Sequence, residues 1–173
     1  MEKQVFIING CGGVGKDTFV SYVRQKYPYM VLNFSSVDKV KQIAKIIGWD
    51  GRKSERDRKF LSDLKCLCTG YNDMPFNSMA SAVNEFAESE AEILFLHIRE
   101  PEEIARAQAA FHAKTILVKR DLVKQIISND ADKNVSNYPY DIVVNNDGDL
   151  KSFRRKAEKF VLDFCAGAVK PNY

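Results

Sequence analysis

Apolar and polar residues alternate along this chain in two distinct rhythms. Short, nearly unbroken apolar runs occur at Val5–Ile8 and Ile93–Ile98, with shorter ones at Met30–Phe34, Thr115–Val118 and Asp141–Val144. Runs of this length, too short for helices, read as strands, and the unbroken ones as strands buried on both faces. Between them the apolar positions recur at helical spacing. Phe19, Val20, Val23 and Tyr27 share one face, as do Val37, Val40, Ile43, Ala44 and Ile47. Phe60, Leu61, Leu64, Leu67 and Cys68 predict a third helix, and Phe76, Met79, Ala80, Val83, Phe86 and Ala87 a fourth. Phe153, Phe160, Val161 and Phe164 give the inner face of a terminal helix.

Punctuation supports this division. Tyr27-Pro28-Tyr29 breaks the first helix, Ser35-Ser36 is placed to cap the second, and Gly48 to end it. Trp49–Arg58 reads as a polar, basic connection and Tyr71–Pro75 as a turn. Pro101 opens a helix at its favoured first turn, and Asp147-Gly148 turns the chain into the last one. Strands alternating with helices predict an α/β fold whose parallel sheet is covered on both faces. Five parallel strands are expected, with the first at the centre. Between Lys119 and Asp141 lies a long connection in which Leu122, Val123, Ile126 and Ile127 suggest a short helix and 129–137 a polar loop. Such a connection reads either as a lid over a site or as an irregular surface loop.

Composition adds boundaries rather than identity. The 173 residues suit one domain with a single sizeable core. A formal net charge of +3 gives no basis for binding a nucleic acid polymer. Neither a signal peptide nor a membrane span is legible, so a cytoplasmic protein without membrane contact is expected. Cys11, Cys66, Cys68 and Cys165 lack paired metal spacing and read as thiols in a reducing compartment. Oligomeric state leaves no trace in the pattern.

The chemistry concentrates after the first strand. Gly10-Cys11-Gly12-Gly13-Val14-Gly15-Lys16-Asp17-Thr18 joins that strand to the first helix. Strand, glycine loop, lysine and helix together make a phosphate-binding P-loop. Glycines let successive N–H groups aim inward, and the helix adds its positive dipole end. Gly12, Gly13, Val14, Gly15, Lys16, Asp17 and Thr18 are therefore expected to hold a nucleoside triphosphate tail. Asp17 stands where a magnesium-binding Ser or Thr is usual, so Asp17, with Thr18, is the candidate for that ion.

In open parallel sheets ligands sit beyond the carboxyl ends of the strands. Ser35, Ser36 and Asp38 leave the second strand, Arg99 and Glu100 the third, Lys119 and Arg120 the fourth, and Asn145, Asn146 and Asp147 the fifth. Arg99 and Arg120 are candidate clamps on a transferred phosphoryl group, because a guanidinium bonds two oxygens at once. For each, a rim salt bridge with Glu100 or Asp121 is the alternative to that role. Arg52, Lys53, Arg56, Arg58 and Lys59 form the densest basic cluster, able to hold an anionic acceptor or simply to face solvent. Asp38 reads as a contact for an acceptor hydroxyl or magnesium, or as a helix-start carboxylate. His97, within an apolar strand, reads as a hydrogen-bonded core histidine.

Gly15-Lys16-Asp17-Thr18, Ile98-Arg99-Glu100, Val118-Lys119-Arg120 and the late run from Tyr140 to Leu150 are the residues that carry a resemblance. The chain resembles the P-loop nucleoside monophosphate kinase superfamily, most closely the phage-type deoxynucleoside monophosphate kinases. Its last motif is also similar to one in dephospho-coenzyme A kinases. The resemblance implies a three-layer αβα P-loop NTPase fold with strand order 2-3-1-4-5. It implies ATP and Mg2+ as cofactors and a phosphorylated small molecule as acceptor. By that resemblance residues 1–173 form a single P-loop kinase domain, with an acceptor-binding helical insertion at about 36–90 and a lid at about 120–139. Lys16, Arg99 and Arg120 would be catalytic, Asn146 and Asp147 would lie at the adenine, and Ser36, Asp38, Lys41, Arg56 and Arg58 would bind the acceptor. Two departures stand out: no aspartate marks the end of the third strand, and Lys124 and Lys133 are the only cations in the lid after Arg120. A module that binds a nucleotide without transferring phosphate is the alternative, although no guanine-reading Asn-Lys-x-Asp stretch is present.

Overall fold

A computed structural model of the chain describes residues 3–121 and 135–164. In order these form β1 (Gln4–Asn9), α1 (Lys16–Lys26), β2 (Val31–Ser35), α2 (Asp38–Ile46), α3 (Glu55–Asn72), α4 (Met74–Glu88), β3 (Ile93–His97), α5 (Pro101–Phe111) and β4 (Lys114–Lys119), then a 3-10 turn (Val135–Asn137), β5 (Ile142–Asn145) and α6 (Leu150–Phe164). The strands make one five-stranded sheet in the order β2-β3-β1-β4-β5, and every pairing is parallel. This is the three-layer α/β arrangement and strand order expected from the sequence.

Alternation along β1 explains the layers, since successive side chains leave opposite faces of a strand. Phe6 and Ile8 point into a cluster with Phe19 and Val23 of α1, Phe95 of β3, and Phe153 and Phe160 of α6. Phe160 meets Phe6 edge-on at 4.8 Å and Phe19 at 5.4 Å. Ile7 points the other way, to Leu94, Leu96, Met79, Phe86 and Ile104. Nearly continuous burial of β1, β3 and β4 follows from cover on both faces. Edge strand β5 is less covered, with Val143 58% exposed. There the ammonium of Lys156 on α6 donates to the carbonyl of Asn145 at 2.7 Å.

The helical insertion departs from the sequence reading in three places. Ser35-Ser36 does not cap α2: its N-cap is Val37, and the Asp38 carboxylate instead accepts from the Ser35 N–H at 2.8 Å. α3 starts at Glu55, inside the stretch read as a connection, because Ser54 and Asp57 close a reciprocal capping box. The expected turn at Tyr71–Pro75 shrinks to Asp73, which takes a left-handed conformation (φ 56°) between α3 and α4.

The inner face of α3 also differs. Leu67, expected inside, is 69% exposed, whereas Lys65 is buried. Lys65 and Leu61 lie about 40° apart around the helix axis, and Leu67 falls well outside that arc. The Lys65 ammonium bonds Glu100 and Glu103, each at 2.8 Å. One helical turn further along α5, Arg106 pairs with Asp73 at 2.5 Å and lies 3.6 Å from the centre of the Phe76 ring. Three ion pairs thus mount the α3–α4 elbow on α5.

Most of the lid expected at about 120–139, including the proposed helix through Leu122, Val123, Ile126 and Ile127 and the cations Lys124 and Lys133, lies outside the described residues, as does Cys165. Among the described residues no helix is long and apolar enough to cross a membrane.

Candidate active site

The turn from β1 to α1 has the backbone that its glycines permit. Gly10 has φ 149°, Gly13 80° and Gly15 104°, values that L side chains rarely adopt. Space excludes side chains as well. A Cβ at Gly10 would lie 2.5 Å from the Val118 carbonyl oxygen, and one at Gly15 would lie 2.7 Å from Nδ2 of Asn146. Gly15 is the N-cap of α1 and supplies no side-chain acceptor. The first N–H groups of α1 therefore have no side-chain cap at Gly15 to occupy them, which suits an anion.

Two buried asparagines brace this loop. Asn9, fully buried at the end of β1, accepts from the Gly10 N–H at 2.8 Å through Oδ1. Its Nδ2 donates to the Arg99 carbonyl at 3.1 Å and to the Tyr140 hydroxyl at 2.8 Å. One amide thereby ties together the ends of β1 and β3 and the entry to β5. At the far side of the loop, Asn146 donates from Nδ2 to the Val14 carbonyl at 2.9 Å, and its own N–H bonds Lys119 at 2.7 Å. Asn146, expected at the adenine, thus also braces the loop. Burial raises the Tyr140 pKa to about 12, although the Asn9 bond opposes the shift.

Lys16 opens α1 and folds back over the loop, donating to the carbonyls of Gly10 and, at 2.9 Å, Cys11. Its ammonium sits inside the turn it was expected to serve. The Asp17 side chain is 96% exposed and Thr18 is half-buried, both in the first turn of α1. Beside the loop, a cavity of about 50 Å³ is lined by Cys11, Val14, Lys119 and Asp121 among others.

β-sheet register brings a second group to the same edge. His97 ends β3 opposite Ile8 on one side and Ser35 on the other. Its carbonyl accepts from the N–H of buried Ser36 at 3.2 Å. Imidazole Nε2 lies 2.7 Å from Oδ1 of Asn33, and Nδ1 lies 3.9 Å from an Asp17 carboxylate oxygen. Nε2 thus bonds the Asn33 amide, and Nδ1 is the nitrogen that faces the Asp17 carboxylate. Burial lowers the His97 pKa; Asp17 and Asp38 oppose that shift, while Lys16 and Lys41 add to it. The expected core histidine is thus hydrogen-bonded but stands at the site. Asp38 lies in the first turn of α2, with Lys41 at 3.7 Å.

Arg99 is half-buried just beyond β3. Its neighbour Glu100, the obvious rim partner, is engaged by Lys65 instead. Burial pushes Glu100 up, but the charge and hydrogen bond of Lys65 outweigh it and hold Glu100 below the ordinary carboxylate value. Glu103 is held above that value, chiefly by burial. Arg120, half-buried, leaves the end of β4, and half-buried Asp147 follows Asn146, its N–H bonding Oδ1 of Asn145 at 2.8 Å. Arg56 and Arg58 are exposed on the first turn of α3. Lys16, Asp17, Asp38 and Lys41 are the charged side chains that act on His97 at this edge. Asn9, Asn33, Tyr140 and Lys65 were not singled out from sequence, because their roles exist only once the register is set.

Fold and loop together define the class: this is a P-loop kinase fold. No protein-family model matches the chain, and no curated protein matches it in sequence. Solved structures do match in shape. A tunicamycin resistance protein from Deinococcus radiodurans is 13% identical, with a TM-score of 0.58, covering 94% of this chain and 95% of its own. Shikimate kinase from Acinetobacter baumannii, in complex with shikimate, is 10% identical with a TM-score of 0.51, covering 98% and 97%. A sugar kinase from Janibacter is 11% identical with a TM-score of 0.51, covering 98% and 99%. Likeness at this level of identity is likeness of fold.

Proposed function

We propose that this protein is an ATP-dependent phosphotransferase that passes the terminal phosphoryl group to a small phosphorylated acceptor, a (deoxy)nucleoside monophosphate or a similar phosphate ester. The observation that carries this reading is the position of Lys16, whose ammonium lies within a glycine turn braced by two buried asparagines. Oxygen atoms of a triphosphate can replace the Gly10 and Cys11 carbonyls as its acceptors, joined by N–H groups of the loop and the first turn of α1.

The donor set fits magnesium, which takes oxygen ligands: the Asp17 carboxylate projects freely and the Thr18 hydroxyl stands beside it. Bound there, the ion would neutralise charge on the donor phosphates. The chain's own residues orient the tail, and Arg99 and Arg120, leaving the two strands that flank β1, would neutralise the moving group. Asn146 positions the loop, and Asp147 beside it would border the adenine. The residues gathered by register, Ser36, Asp38 and Lys41, would face the acceptor, with Arg56 and Arg58 reached from the insertion side. The kinases of similar shape, one named for shikimate and one for sugars, support the reading at the level of fold alone.

A coupled assay of ADP formation over a panel of nucleoside monophosphates and other phosphate esters tests this. Acceptor-dependent turnover in the wild type, lost in Lys16→Ala, is the expected outcome. Turnover that ignores every acceptor would mean a nucleotide-binding module without transfer. If Mg·ATP fails to raise the melting temperature of the wild type, the reading is wrong at its root.

A further inference from the structure

The ladder between β1 and β3 ends at Ile8 and His97, and past that pair the two chains part. One turns into the glycine loop; the other passes through Arg99 and Glu100 into α5. The donor cradle and Arg99 are therefore carried on segments that diverge beyond the ladder. A side chain continues the connection. Asn9, fully buried, accepts from the Gly10 N–H through Oδ1 at 2.8 Å, while its Nδ2 donates to the Arg99 carbonyl at 3.1 Å. These partners fix which way the amide points, since a main-chain N–H only donates and a carbonyl only accepts. The second hydrogen on Nδ2 goes to the Tyr140 hydroxyl at 2.8 Å. That tyrosine is itself seated. Its ring meets Tyr138 edge-on at 5.3 Å, and the next residue, Asp141, accepts from the N–H and the hydroxyl of Thr115 on β4 at 2.7 and 2.8 Å.

We infer that Asn9 is a positioning residue for phosphoryl transfer, its carboxamide holding the main chain of Arg99 in register with the phosphate loop. This rests on the phosphotransferase reading above, in which Arg99 neutralises the moving group. An arginine reaches a phosphate through several rotatable bonds, and freedom at its root widens the volume that its guanidinium searches. A main chain fixed at Arg99 narrows that search, and the fixing bond is already made in the resting fold. The same amide holds the first N–H of the loop, so one group sets both the cradle of the donor and the cation that meets it. Misplacing reacting partners by about an ångström can slow a reaction on the order of a hundredfold. The residue type follows from the task. A carboxylate of the same shape has no hydrogen for the Arg99 carbonyl, whereas a carboxamide accepts on one side and donates twice on the other.

A double-mutant cycle separates this role from support of the loop. kcat and the KM for ATP are measured for the wild type, Asn9→Ala, Arg99→Ala and the double variant. The acceptor is whichever of dAMP, dCMP, dGMP, dTMP and dephospho-coenzyme A the wild type turns over fastest. Asn9→Ala is expected to lower kcat about tenfold or more. In the Arg99→Ala background the same change is expected to alter kcat by less than about twofold, because the group it positions is gone. The KM for ATP and the melting temperature report the brace on Gly10, and should shift by the same amount in both backgrounds. An equal fall in kcat in both backgrounds would mean that Asn9 serves the loop alone, and overturns the inference. If Arg99→Ala by itself leaves kcat unchanged, the inference falls with the role given to Arg99, while acceptor-dependent turnover keeps the phosphotransferase reading. No turnover with any of these acceptors overturns both. Should Asn9→Ala melt below the assay temperature, Tyr140→Phe takes its place in the cycle. It strips one anchor from Nδ2, leaves the bond to Gly10 in place, and is expected to lower kcat severalfold only where Arg99 is present; an equal fall without Arg99 counts against the inference in the same way.

Discussion

The two sides of this site are held by opposite means. The phosphate loop is braced by neutral amides, Asn9 and Asn146, bonded to backbone groups in the interior. The helical insertion across from it is mounted on α5 by charges, Lys65 with Glu100 and Glu103 and Arg106 with Asp73. Neutral hydrogen bonds in a buried setting have no charge to be screened and titrate only at extremes of pH. Ion pairs cost more to bury and depend on every partner being present. The loop is thus fixed by geometry, and the insertion by a balance of charge that single substitutions can tip.

The largest effect is expected where the loop has no room. Gly15→Ala combines a backbone conformation strained for alanine with a clash against Asn146, and should cost about 4 kcal/mol in urea unfolding. Lys65→Met should cost about 3 kcal/mol, because two carboxylates are left without their cation. Adding Glu100→Gln and Glu103→Gln should recover most of that loss; no recovery would mean that α3 is held by packing rather than charge. Asn9→Ala should cost about 2 kcal/mol by stranding the Gly10 N–H and the Tyr140 hydroxyl, and the loss should not change between low and high salt. Arg106→Ala should cost about 1 kcal/mol, shrinking as salt is added, since its pair with Asp73 is partly exposed. A salt-sensitive Asn9 variant together with a salt-blind Arg106 variant would invert the comparison.

Alkaline titration probes the amide side once more. Tyr140 has its pKa raised to about 12 in the folded chain. Its contribution to stability is intact below the ordinary tyrosine value near 10 and is lost as pH rises from there towards the folded value, because the unfolded chain ionises first. Tyr140→Phe should flatten that decline in a series of melting curves. A decline of unchanged slope would assign it to other groups.

Much of the architecture was legible in the sequence, for identifiable reasons. The strands β1, β3 and β4 lie under two layers, so their apolar runs are unbroken; Pro101 marks the start of α5; and the glycine loop forces its own geometry. The insertion was harder. Its α3 begins within a run of alternating charges that resembles solvent-exposed coil, and the cap is Ser54 with Asp57, not the commoner Glu. Lys65 is invisible as an interior residue because burial of an ammonium depends on Glu100 and Glu103, which arrive from another helix. His97 sat in an apolar run as any core residue would, and only the register that sets it beside Ile8 and Ser35 brings it within reach of Asp17. Pairings across a parallel sheet are long-range facts, and local periodicity does not encode them.

The contact between Lys156 and the Asn145 carbonyl has a consequence for how this protein behaves in concentrated solution. The outer margin of β5 is a row of backbone groups able to template a strand from another molecule, with Val143 bare beside it. An ammonium parked on that margin occupies one acceptor and repels an approaching copy of itself. Shortening Lys156 would uncover a sticky rim, and fibrous or swapped assemblies, rather than loss of the monomer's own fold, would be the form the damage takes.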